Sequence, residues 1–384
     1  SSVGRASRCA DPPPLAAPCS MAEPQETEPQ QEPLAERRGS IHDGDTRRLT
    51  SRTLKELELI DEEPQPLDED LYGVAITSLI RDVHRISSGN GRMCLRVSRA
   101  SVTVSLLLLN MLVQAFLISE FKRLVTRSFV HDVRHVYSDF EEWMYDSHTT
   151  LTRNGFHRGI VGHFDPENFR DLPGHIDKDF ICSIPLSQPY FFGVILAIWT
   201  LTVVQDIRLV QFHATLLCWH AKTVATMGEV LHWPDPESTT CELVGMTMPL
   251  KVCLFTFMFL PRVLVDLFLL WLGCRWLMAT GDFADVLLNA IALEFILCLK
   301  DLVYNAVVPM RDRYETSTLL IKRHEPSRAS WGHYMGAFLW LIVVVFWVVF
   351  YMTVFQRVLP EYKWDIHVVC ETYIQEHTSL QAAG

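Results

Sequence analysis

No stretch of this chain spells out a chemistry. It lacks a phosphate-binding glycine loop, G-x-S-x-G, H-E-x-x-H and a three-glycine dinucleotide fingerprint, and Gly89-Asn90-Gly91 is only a turn signal. These absences remove the motif-based nucleotide-binding, serine-hydrolase and zinc-protease classes, and no cofactor is implied. No C-x-x-C pair occurs among the ten cysteines, and no span carries Arg at every third position, as a voltage sensor would. The missing N-x-[ST] sequon neither supports nor excludes a secretory destination. The sequence favours a non-enzyme. A membrane-embedded hydrolase using Asp or His stays open as a third reading, because such a site needs only two residues brought together in space.

A basic patch is lacking as well. The net charge of -11 is unevenly spread: residues 1–20 carry +1, residues 21–70 carry -9, and the other 314 only -3. The acidity belongs to a tail, and nothing favours a nucleic-acid partner. Metal-site spacing is also missing around His157, His163 and His175, although Asp165, Glu167, Asp171, Asp177 and Asp179 lie close in sequence. The expectation there is solvated loop charge and no metal. His213, His220 and His232 receive the same reading.

What the chain does have is apolar residues, 49% of 384, gathered into blocks. A helix rises about 1.5 Å per residue and a hydrocarbon core of about 30 Å takes roughly twenty residues. By that measure the sequence predicts an all-α, multi-span helical membrane protein with about five transmembrane helices: 101–119, 190–210, 250–278, 283–309 and 334–355. Amphipathic helices are expected to extend from the first and second spans. Phe129, Val133, Val136, Phe140 and Trp143 form one stripe; Leu209, Phe212, Leu216, Trp219, Val230 and Leu231 form the other. Tyr190, Trp271, Trp276, Trp331, Tyr334 and Tyr351 fit interfacial anchoring.

The remaining segments follow from these spans. Residues 1–20 precede the first Met, Met21, and read as upstream sequence or as a fragmentary N-terminus. Residues 21–70 are expected to be a disordered acidic tail. Within it Ser40 and Thr50 each follow an Arg pair and are phosphorylation candidates, with two solvated Arg pairs as the plainer reading. Basic residues Arg311, Arg313, Lys322, Arg323 and Arg328 contrast with the uncharged-to-acidic turn at Ala279–Asp282. With five spans, that asymmetry puts the N-terminus, 71–100, the loop 211–249 and the basic loop 310–333 in the cytoplasm. Residues 120–189 and the tail 356–384 then face the other side, with 153–189 a folded loop lacking regular elements. Cys182 and Cys370 share that side, so either a disulfide or two free thiols is expected. Which membrane the chain occupies is not legible.

The sharpest feature is charge inside the spans, because ionisable groups are costly at bilayer depth. Span 283–309 carries Asn289, Glu294, Lys300 and Asp301, and span 250–278 carries Arg262 and Asp266 just after Pro261. The short turn between them makes a hairpin, and matching depths predicts Arg262 bridging Asp266 and Glu294. Two readings compete: an ion or proton channel or transporter using this cluster, and a non-transporting scaffold or interaction protein in which it is a structural salt-bridge network. Expected partners are the lipid bilayer, an inorganic ion or proton, and copies of the chain or other membrane proteins.

Overall fold

The computed structural model describes residues 65–87, 93–174, 176–233, 240–321 and 331–383. Ser40, Thr50, His175, Lys322, Arg323, Arg328 and residues 1–64 lie outside them. The described chain is mostly helical with short strands. It opens with β1 (Gln65–Pro66), α1 (Leu71–Ser87), the long α2 (Met93–Arg127) and α3 (Phe129–Met144). A hairpin of β2 (Thr149–Leu151) and β3 (His157–Gly159) leads through short turns to α4 (Lys178–Ser183) and α5 (Pro189–Ala214). Strands β4 (Lys222–Thr223), β5 (Leu231–His232), β6 (Cys241–Leu243) and β7 (Gly245–Met246) follow. The remainder is α6 (Met248–Leu254), α7 (Leu260–Met278), α8 (Phe283–Leu297), α9 (Leu299–Val307), α10 (Met310–Ser317), β8 (Leu319–Ile321), α11 (Trp331–Phe350) and α12 (Asp365–Ala383).

Four helical runs among the described residues are long and apolar enough to cross a membrane: Met93–Met144, Pro189–His220, Met248–Met278 and Met335–Phe355. The third is continuous because a wide turn at Phe255–Phe259 joins α6 to α7. Pro261 lacks an N–H and its ring crowds the preceding turn, which is the setting in which such wide turns form. The fifth sequence candidate, 283–309, is two shorter helices meeting at Cys298. Gln114 Nε2 donates to the Ile296 carbonyl at 3.1 Å beside that interruption. A side chain inserted into a helix ladder bends the helix. The α8–α9 run still exposes Leu287, Leu288, Ile291, Phe295 and Leu302, an apolar face like those of the four longer runs.

Two apolar cores result. The first gathers Phe140, Ile181, Ile184, Leu196, Trp199, Leu272, Leu293 and Ile366; the second gathers Leu71, Ile80, Val210, Leu243, Leu254 and Tyr304. Beside the first core Cys182 on α4 and Cys370 on α12 are at disulfide distance, with Cα atoms 5.3 Å apart. Beside the second lies a four-stranded sheet in the order β1-β8-β6-β5.

Several expectations change. Gln65–Asp70 had the composition of the tail, yet β1 pairs with β8, Leu67 is buried and Asp70 caps α1 by accepting the Gly73 N–H at 2.6 Å. Gly73 is required there, since a Cβ would sit 2.0 Å from the Asp68 carbonyl oxygen. Val230 and Leu231 are not on a helix continuing the second span: α5 ends in a wide turn at Thr215–His220, and Leu231 is in β5. Residues 153–189 contain β3 and α4, and the C-terminal tail contains α12. Trp276 and Tyr351 are buried in the first core, so they pack against protein and do not anchor an interface.

A charged joint fastens α1, α2 and α10. Arg99 Nη2 donates to Glu315 Oε2 at 2.6 Å, Arg81 lies 3.5 Å from the same oxygen, and Arg311 Nε donates to Oε1 at 3.2 Å. Burial acts to raise the Glu315 carboxyl, but these arginines outweigh it and hold it at about 2, below its ordinary 4.5. Because the folded value is the lower one, the stabilisation is full above pH 4.5 and is lost as pH falls toward 2. Melting temperature in detergent is expected to fall across that window, and Glu315→Gln is expected to flatten the dependence. An equal slope in wild type and variant would remove the assignment.

Candidate functional site

Between the two cores runs a polar layer. On α5, Asp206 lies between Val203 of the first core and Val210 of the second; on α7, Arg262 and Asp266 lie between Phe259 and Leu269. On α9, Lys300 and Asp301 lie between Leu297 and Tyr304, and on α2 Asn110 and Gln114 lie between Leu107 and Ile118. Four helical runs thus place polar groups at one level, where apolar packing is interrupted.

Asp206 is the hub. Arg262 grips it with two bonds, Nη2 to Oδ1 at 2.8 Å and Nε to Oδ2 at 3.2 Å, the fork geometry that suits carboxylates. Lys300 Nζ binds Oδ1 of the same carboxylate. The remaining Arg262 arm, Nη1, donates to Asp70 Oδ2 at 3.0 Å, and the guanidinium stacks 4.5 Å from the Tyr72 ring centre. Asp70 therefore serves twice, capping α1 with one oxygen and holding Arg262 with the other. Asp266 is 2% exposed, and its Oδ2 has no hydrogen-bond partner among the described residues.

These partners differ from the expected ones. Arg262 pairs with Asp206 and Asp70 and not with Asp266 and Glu294. A two-helix hairpin alone would turn Arg262 toward α8, whereas it faces α5 and the start of α1. Asn289 leaves the cluster altogether, donating to Thr280 Oγ1 at 2.9 Å near the hairpin turn. Glu294 is exposed on the α8 surface beside Asp301. Sequence reasoning missed Asp206, Asp70, Asn110 and Gln114. A signal existed for three of them, as polar side chains within the apolar runs 101–119 and 190–210. Asp70 had none, being one acid among many in a tail.

A cavity of about 400 Å³ reaches this layer. Its wall carries the carboxylates Asp68, Glu69, Asp70, Asp206, Glu294 and Asp301, with Lys300 as its lysine. Thr202 and Gln205 of α5 and Cys298, at the α8–α9 interruption, complete the polar lining. The interruption thus coincides with the opening.

A second buried network stands beside the first core. Arg158 Nη1 donates to Glu141 Oε2 at 3.2 Å, Lys363 lies 3.6 Å from Glu141 Oε1, and the Tyr137 and Tyr145 hydroxyls donate to Asp365 at 3.0 and 3.1 Å. Burial raises the Asp365 carboxyl, while those hydroxyls pull it down. This network joins α3, β3 and the approach to α12, with Arg158 and Lys363 both on Glu141 and the two tyrosines on Asp365. Among the described residues no group of three or more His, Cys, Asp or Glu side chains is arranged to hold a metal ion.

The chain matches no protein-family model, no curated protein and no solved structure. Its class therefore rests on its own features. Four apolar helices of spanning length, with charged side chains buried in ion pairs between them, agree with a membrane protein.

Proposed function

We propose that the protein is an integral multi-pass membrane protein that moves an inorganic ion or proton by way of the Asp206–Arg262–Asp266–Lys300 layer. In this reading α8–α9 is a fifth crossing and the N-terminus, with α1 and the four-stranded sheet, is cytoplasmic. The observation that carries it is the acidic cavity, which extends from exposed Glu69 and Glu294 to the buried charges. Clustered carboxylates on low-dielectric walls concentrate cations and speed their arrival. Non-helical or interrupted backbone at membrane depth is tolerated where it lines such a cavity, and Cys298 does so.

A specific observation favours the second reading. Arg262 and Lys300 are both paired, and their bonds tie α1, α5, α7 and α9 together, as a purely structural lock in a scaffold protein would. Flux separates the two. Full-length protein in liposomes is expected to dissipate an imposed proton or cation gradient, and Glu294→Gln with Asp301→Asn is expected to slow it about tenfold by removing the attracting charge. Liposomes as tight as protein-free ones would leave the scaffold reading.

A further inference from the structure

Among the described residues Asp266 is the one fully buried acid of the layer that no cation holds. The two buried cations are spent: Arg262 uses three donor nitrogens on Asp206 and Asp70, and Lys300 is on Asp206. Asp70, Asp206 and Asp266 thus set three carboxyl groups against two positive charges between the apolar cores, with Asp70 and Asp206 on the cavity wall and Asp266 buried behind them. An unpaired carboxylate in such surroundings is expensive enough that the group gives up its charge. Geometry says the same: Asp266 Oδ2 is buried and meets no hydrogen-bond partner among the described residues.

We propose that the ion taken by this site is a proton, held by Asp266 and exchanged with the acidic cavity through Asp206. The groups facing Asp266 are Asp206 from α5, Arg262 from its own helix, Lys300 from α9 and Tyr72 from α1. A metal cation is a poor occupant, because it needs several converging oxygens and here Arg262 and Lys300 have taken those of Asp206 and Asp70. Release is balanced by the layer itself. Asp266 loses H⁺ to water in the cavity by way of Asp206 and becomes a carboxylate. Arg262, four residues earlier on the same helix face, can then turn from Asp70 to pair with it. Asp70 is left with its cap bond to Gly73 and with the cavity water. Rebinding a proton reverses each step.

That the proton is cargo rests on the transport reading; that Asp266 holds one does not. Infrared difference spectroscopy of the full-length protein in lipid tests the second directly. Wild type at neutral pH is expected to show the C=O stretch of a protonated carboxylic acid that is lost in Asp266→Asn and kept in Glu294→Gln. If Asp266→Asn does not fold, Asp266→Glu is expected to shift that band. A spectrum unchanged in this region by either substitution overturns the proposal. Proton flux in liposomes that Asp266→Asn abolishes supports both parts. The band without any flux supports the proton site and ends the transport reading, whereas metal-ion flux without the band overturns the proton.

Discussion

Replacing Asp206 by Ala is expected to destabilise the protein by about 3–5 kcal/mol, the usual cost of removing one partner of a buried ion pair. The carboxylate accepts two bonds from Arg262 and one from Lys300, so its loss strands Lys300 and leaves Arg262 with Asp70 alone. Solvent offers partial relief, since Lys300 borders the cavity. Thermal unfolding in detergent or nanodiscs reads the effect, with an expected fall of about 5–15 °C from that cost and the size of the chain. Glu294→Gln, on the exposed cavity wall, serves as the contrast and is expected to stay within about 0.5 kcal/mol. Adding Lys300→Met to Asp206→Ala is expected to recover part of the loss, because the stranded charge goes with it. Should Asp206→Ala melt with wild type, the layer is not the joint that its bonds describe.

Glu141→Ala is expected to be of similar size, about 3–5 kcal/mol, and to act on a different part of the molecule. Glu141 is fully buried and faces Arg158, itself 2% exposed, as well as Lys363 and the Tyr137 hydroxyl. Without it Arg158 keeps only the backbone carbonyls of His157 and Pro360, and its charge has no counterpart. The segment leading to α12 depends on this contact, so hydrogen exchange is expected to quicken at residues 357–366 while α5 and α7 keep their protection. Glu141→Gln preserves the shape and accepts from Tyr137, so its effect is expected to be smaller. Uniform loss of protection along the chain would mean that the network supports the whole bundle and not this segment.

Asp206 and Glu141 differ in how far the sequence alone exposes them. Asp206 could have been noticed, since an acid in the apolar run 190–210 is unusual wherever it occurs. Its partners could not. Arg262 is 56 residues away and Asp70 lies 192 residues before Arg262, and no local pattern encodes contacts at such separations. Matching depths across the α7–α8 hairpin named Asp266 and Glu294 for Arg262, which instead pairs with Asp206 and Asp70. Depth follows from helical rise, but which faces meet follows from how α1, α5 and α7 pack. Glu141, Arg158 and Asp365 gave no sign at all, because charge in a polar segment reads as solvated until the fold encloses it. For Cys182 and Cys370 the chain allowed proximity, and the packing of α4 against α12 supplies the 5.3 Å separation.

The sequence by itself determined the helical class, the apolar runs, of which five were expected and four are of spanning length, and the presence of charge within them. Those properties depend on composition and on the period of one helix, which are local. Tertiary structure alone decided that the charges form a layer between two cores, that Asp70 reaches into it from outside the spans, and that Asp266 is left without a cation. The reason is physical: a buried charge is defined by what surrounds it, and its surroundings come from distant parts of the chain.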